Sequence, residues 1–184
     1  MLGWRRGMVA GVLAVMAGAE AHAACTDVLQ PGVDLRRCQL VGELLQNLDL
    51  TGAEIRDAAF TRADLTDAVL DEVTGRGAKF ISARLAGASF VDADLVEADF
   101  TSADATDVSF RGANLFRARF FRANLTGADF TGARIDGTDF LQADLEGAIW
   151  SDGATVCGPG SIGRCVAVRR PPADAEAPAT SVGG

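Results

Sequence analysis

Large apolar residues recur at every fifth position through most of this chain. The series runs Leu40, Leu45, Leu50, Ile55, Phe60, Leu65, Leu70, resumes at Phe80, and ends at Trp150. From Ile55 on, the position two before these is mostly a small residue. Ala fills that row from Ala53 to Ala148, with Val108 and Thr138 among the exceptions. A period of five fits neither a helix nor a flat strand. It requires the backbone to turn a corner in every repeat, and internal repetition this regular outranks any local propensity.

Alternation along a short extended segment points the central residue and the residue two before it to the same side. Both therefore face inward. The other three positions face out and carry Asp, Asn, Arg, Thr, Ser and Gly, which suit solvent and tight turns. From Phe80 onward Phe and Leu alternate at the centre, so Phe is expected to stack on Phe along the axis and Leu on Leu. The row is interrupted at Gly75 and Ala105, where a small void or altered coil is expected. Gly75-Arg76-Gly77 is the expected place for a bulge.

The repeats also spell Ala63-Asp64-Leu65, Ala93-Asp94-Leu95, Ala113-Asn114-Leu115, Ala123-Asn124-Leu125 and Ala143-Asp144-Leu145. This resembles the pentapeptide-repeat family, over about Cys38 to Trp150. The resemblance implies an all-β fold, a right-handed quadrilateral parallel β-helix with four repeats per coil. At about 4.8 Å per rung, five to six coils make a rod about 25–30 Å long. The organisation read from the sequence is residues 1–23 as a signal peptide, 24–37 as an N-terminal cap, 38–150 as the β-helix, 151–166 as a C-terminal cap and 167–184 as a disordered tail.

The signal peptide rests on Arg5 and Arg6, an apolar stretch from Met8 to Ala19 too short to span a bilayer, and Ala21-His22-Ala23 as cleavage site. A retained signal anchor is the alternative. Cleavage moves the formal charge from −8 to −9, since Arg5, Arg6 and Glu20 leave. It also removes His22, the only histidine. Without histidine there is no Ser-His or Cys-His nucleophile and no His-containing zinc site.

Solenoid ends expose apolar cross-sections and unpaired edges and need caps. The four cysteines lie only at the ends. The pairs Cys25–Cys38 and Cys157–Cys165 are expected as disulfides, because the other pairings would span the rod. Lipidation of Cys25 and a metal or redox role are the alternatives. The stretch from Trp150 to Cys165 also looks like the ending of exported members of the family.

Residues 20 apart are expected on one face. Lys79, Asp99, Arg119 and Asp139 then form a column of alternating charge, as do Asp64, Arg84 and Asp104, with Glu97 beside Arg117. Outward apolar residues break the polar pattern. Ile81, Phe121 and Leu141 share one column, and Val96 and Phe116 an adjoining one, with Arg111, Arg117 and Arg122 nearby. They are the expected contact patch for an unknown protein partner or a homodimer.

The function expected is a non-catalytic structural or protein-interaction module, periplasmic or secreted, with no cofactor and no membrane span after signal cleavage. The acidic balance opposes direct nucleic-acid binding. Two alternatives stand beside it. The resemblance implies a DNA-mimicking inhibitor of a topoisomerase, since some members of the family are acidic rods of that kind. An enzyme is the other, opposed by the missing histidine and by a convex shape that offers no pocket for a catalytic carboxylate pair.

Overall fold

The computed structural model describes Cys25 and residues 28–169. The signal peptide and its cleavage site lie outside the described residues, as does the tail from Arg170 on. Residues 31–150 wind as a parallel β-helix in which each rung pairs with the residue 20 further on, from Asp34 with Glu54 to Asp129 with Ile149. The described helix thus has six coils of four sides. We label the sides by their first-coil repeats: side 1 is 31–35, side 2 is 36–40, side 3 is 41–45 and side 4 is 46–50, each recurring every 20 residues. The ladder starts at Asp34, inside the stretch assigned above to the N-terminal cap. Val33 and Leu35 already occupy the two inward slots of a repeat. Pro31 and Gly32 hide that repeat in the sequence, because they carry none of the usual polar residues.

Corners follow from backbone chemistry. In each repeat the second residue has a positive φ, as in Gly52 (67°), and in most repeats the next N–H closes a turn, as Ala53 does to the Leu50 carbonyl at 3.0 Å. That is the hydrogen bond and dihedral pattern of a type II turn. Between corners the central N–H donates up the rod and the rung residue donates down. Phe80 N–H reaches Asp99 O at 2.7 Å, and Lys79 N–H reaches Ala58 O at 2.9 Å.

The axis is filled by side chains. Phe60, Phe80, Phe100, Phe120 and Phe140 stack in one column, with ring centres 4.7–5.4 Å apart. Phe90, Phe110 and Phe130 form the opposite column at 5.4 Å spacing. The two columns meet edge to face, as Phe80 does Phe90 at 83°. Both contact types are favoured by the ring quadrupole. The interruption at Gly75 is not a void. A β-carbon there would stand 2.9 Å from Leu95 Cδ2 and 3.1 Å from Ile55 Cδ1, so its neighbours have taken the space. Nor is there a bulge: Gly75 N–H still bonds Asp94 O at 2.8 Å and Gly77 N–H bonds Val96 O at 3.0 Å. The uninterrupted ladder on both flanks holds the register.

Both ends carry disulfides. Cys25 is joined to Cys38 and Cys157 to Cys165, with Cα separations of 5.5 and 4.9 Å. At the C-terminus strands β1 (Thr155–Cys157) and β2 (Ala167–Arg169) form an antiparallel hairpin. This corrects the reading of 167–184 as wholly disordered, since its first three residues are a strand. The expected Cys157–Cys165 bond closes the loop between them, while the pairing of Cys157 with Ala167 follows no repeat in the sequence. Residues 155–163 run antiparallel to the last coil and receive its donors: Leu145 N–H bonds Ser161 O at 2.9 Å and Gly147 N–H bonds Cys157 O at 2.7 Å. Ser161 is fully buried, donating to Gly158 O at 2.6 Å and accepting from Val166 N–H at 3.0 Å.

Candidate contact surface

With the axis filled, functional chemistry has only the four outer sides and the two ends. Side 2 and its two corners hold the residues singled out as a contact patch. Phe116 sits at the corner of sides 1 and 2, half-buried, with the guanidinium carbons of Arg117 and Arg134 at 4.9 and 4.8 Å from its ring centre. Phe121 sits at the corner of sides 2 and 3, half-buried, with Arg122 at 5.0 Å. Cation–π contact covers part of each ring, and each guanidinium also holds a polar partner: Arg117 pairs with Glu97, Arg134 with Asp136, and Arg122 donates to Gln142 Oε1 at 2.7 Å.

Leu141 lies one rung beyond Phe121 in the same column and is 60% exposed. Ile81 lies two rungs before Phe121, with Thr101 between, and is half-buried. Val96 departs from expectation: it is only 8% exposed, flanked on neighbouring rungs by the longer side chains of Arg76 and Phe116. It contributes a wall of the patch and little open area.

The charge columns form in part. Arg84 pairs with Asp64 at 3.2 Å, Arg117 with Glu97 at 3.8 Å and Arg119 with Asp99 at 3.9 Å. Lys79, Asp104 and Asp139 make no ion pair among the described residues. Other pairs span a corner, which the 20-residue spacing does not reveal. Arg36 reaches Asp34 at 2.5 Å and Arg134 reaches Asp136 at 3.2 Å, each two residues apart. Arg76 reaches Asp94 at 3.2 Å and Arg111 reaches Asp129 at 2.9 Å, each 18 apart. The signal was available: the fourth residue of one repeat and the first of the next flank the same corner.

Hydrogen bonds from the Arg36 side chain and backbone hold the Asp34 carboxyl down at about 2. Burial pushes Asp129 up, but bonds from Thr131 and Arg111 outweigh it and leave its pKa lowered. A shallow groove bounded by Asp34, Arg36, Arg37, Arg56 and Asp57 lies beside this end of side 2, lined by both signs of charge. Among the described residues no group of His, Cys, Asp or Glu is placed to hold a metal ion, and no helix is long and apolar enough to cross a membrane.

Charge is unequal around the rod. Sides 1 and 4 adjoin and together carry 11 acidic residues against two arginines, whereas sides 2 and 3 carry nine acidic and ten basic. Sequence reasoning took the net charge as a whole and missed this partition, although the 20-residue register was sufficient to find it.

The chain matches the family model for pentapeptide repeats over residues 32–74, 76–112 and 113–149. No curated protein matches it. Among solved structures it is similar to QnrB1, a plasmid-mediated fluoroquinolone resistance protein, at 22% identity and TM-score 0.47, over 64% of each chain. The match therefore spans just under two thirds of that protein. A pentapeptide repeat protein from the thylakoid lumen of Arabidopsis thaliana is similar at 27% identity and TM-score 0.31, over 62% of this chain and 69% of that one. HetL, involved in heterocyst differentiation regulation in Nostoc sp. strain PCC 7120, is similar at 23% identity and TM-score 0.27, over 65% and 77%.

Proposed function

Since the chain belongs to the pentapeptide-repeat family, we propose that it is a non-catalytic protein-interaction module, exported to the periplasm or the extracellular space. Its contact surface is side 2 with the Phe116 and Phe121 corners. The observation that carries this reading is the division of labour in the fold. Stacked side chains fill the axis, and one side presents half-buried aromatic rings under guanidinium groups. Such Arg-aromatic groupings are enriched where proteins dock. Export is supported by the signal-like segment 1–23 and by the pairing of all four cysteines.

Two measurements test it. Intact mass of the protein from each compartment of its host should show a chain starting at Ala24 that gains four hydrogens on reduction. A full-length reduced species in the cytosol would overturn export, and an added lipid mass on Cys25 would replace the Cys25–Cys38 bond. In-cell photo-crosslinking from position 116 should capture a defined protein, and Phe116→Ala with Phe121→Ala should abolish the capture. Unchanged capture would sink the assignment of the surface.

The acidic partition favours a second reading. Sides 1 and 4 carry a net negative strip over the first four coils, the charge pattern that mimicry of DNA before a topoisomerase would need. In a gyrase supercoiling assay, excess purified protein should then inhibit, and full activity would dismiss this reading for that enzyme.

A further inference from the structure

We propose that side 2 is a self-complementary face on which a second copy of the chain docks antiparallel. The proposal rests on reading side 2 as a contact surface and names what it contacts. Four successive rungs of side 2 alternate in sign. Arg76 and Lys79 come first, Glu97 and Asp99 second, Arg117 and Arg119 third, Asp136 and Asp139 fourth. Seven of these eight residues are exposed, and Asp99 is half-buried.

Symmetry decides what such a face can meet. Consider a two-fold axis in the contact plane, across the rod and midway between the Glu97 and Arg117 rungs. It keeps each column on itself and reverses the order of the rungs. Reversal turns plus-minus-plus-minus into minus-plus-minus-plus. Arg117 then faces Glu97 of the second copy, Arg119 faces Asp99, Arg76 faces Asp136 and Lys79 faces Asp139. Parallel, in-register docking would set every charge against its like.

The uncharged positions obey the same operation. Phe116 faces Val96 of the second copy in one corner column, and Ile81 faces Leu141 in the other. Between them Gly77 faces Gly137, so no side chain props the copies apart there. Side 4 carries no lysine or arginine, so the same operation can form no ion pair on it.

Four rungs at about 4.8 Å each make a patch smaller than the about 800 Å² per partner of a typical stable complex. The dimer is therefore expected at high protein concentration and should weaken with salt.

Sedimentation equilibrium of the purified protein at low ionic strength tests this. The average mass should rise toward that of a dimer with concentration and fall back in high salt. The double variants R117E/R119E and E97R/D99R should each weaken association about tenfold or more. An equimolar mixture of the two should restore it, because the dyad again pairs opposite signs; misfolded chains would not be rescued in this way. A carbodiimide should also link Lys79, the only lysine, to Asp139 in the dimer band. Within one chain these residues stand three rungs, about 14 Å, apart, beyond a zero-length link. A monomer at every concentration, a dimer that survives both reversals, or a mixture that fails to associate would overturn the proposal. If such a monomer still captured another protein through Phe116 and Phe121, self-pairing would fall and the interaction reading would stand.

Discussion

Leu95 leans along the axis until its Cδ2 is 2.9 Å from the place a β-carbon on Gly75 would occupy. Ile55 closes in from the other side at 3.1 Å. The periodic row invites a leucine at position 75, but its room is already taken. Gly75→Leu is therefore expected to overpack the axis and destabilise by about 1–3 kcal/mol. Urea unfolding of the variant checks this, and a gain in stability would mean that Leu95 and Ile55 relax freely.

Phe100 is the middle ring of its column, 4.8 Å from Phe80 and 4.7 Å from Phe120, with Phe90 and Phe110 edge-on. Phe100→Ala should cost about 3–5 kcal/mol, through lost burial and a cavity walled by rigid rings. In a solenoid each coil touches only its neighbours, so hydrogen exchange should accelerate first in residues 80–120. Uniform acceleration over the whole rod would show that the six coils unfold as one unit.

The coil was legible because a single number, the period, sets the inward slots, the corners and the columns together. Once residues 20 apart were placed side by side, the Phe stacks and the Glu97–Arg117 pair followed. Gly75 misled because a missing side chain in the sequence says nothing about what its neighbours do. The β1–β2 hairpin was illegible for a related reason: its pairing depends on a disulfide-closed loop rather than on the repeat. Val96 was read as exposed because its slot faces out, yet it is 8% exposed, between the longer Arg76 and Phe116 on adjacent rungs.

The second residue of every repeat has a positive φ, yet several are neither Gly nor Asn. Glu72 sits at 57° on an exposed corner. An L side chain in that region is strained by about 1–2 kcal/mol, offset in part by the greater entropy a glycine loses on folding. Glu72→Gly should raise stability by about 0.5–1 kcal/mol. The reverse change at Gly112, where φ is 67° and a β-carbon would meet Asp92 Oδ1, should lower it by about 1–2 kcal/mol. Thermal melts of both variants check the pair, and shifts of the same sign would refute the argument.

Asp34, Asp49, Asp64, Asp129 and Asp152 all have pKa values lowered in the folded chain, chiefly through hydrogen bonds from Arg36, from Thr51, from Thr66, from Thr131 against burial, and from Thr155. Lowered carboxyls contribute stability that is present above their unfolded value near 3.8 and is lost as pH falls through the folded value. Asp34 sets the lower limit at about 2. Stability should therefore hold from neutral pH to about 4 and decline between about 4 and 2. Arg36→Ala should move the start of the Asp34 titration up toward 3.8, read directly by carboxyl NMR. An unmoved Asp34 would show that the backbone N–H of residue 36, not the guanidinium, holds the proton off.

The bond between Cys157 and Cys165 fixes the segment that receives the last coil's donors, including Leu145 N–H to Ser161 O and Gly147 N–H to Cys157 O. Breaking it with a reductant frees a short loop, whose closure is worth about 2–3 kcal/mol in the chain-entropy account. The same reagent also opens Cys25–Cys38, so the two ends need separate variants. Cys157→Ser with Cys165→Ser should raise exchange of the Leu145 and Gly147 amides well before the amides of Phe80 to Phe100 respond, because coils far from the cap do not touch it. Equal protection at both places after the bond is removed would mean that the buried Ser161 and its hydrogen bonds close the end without it.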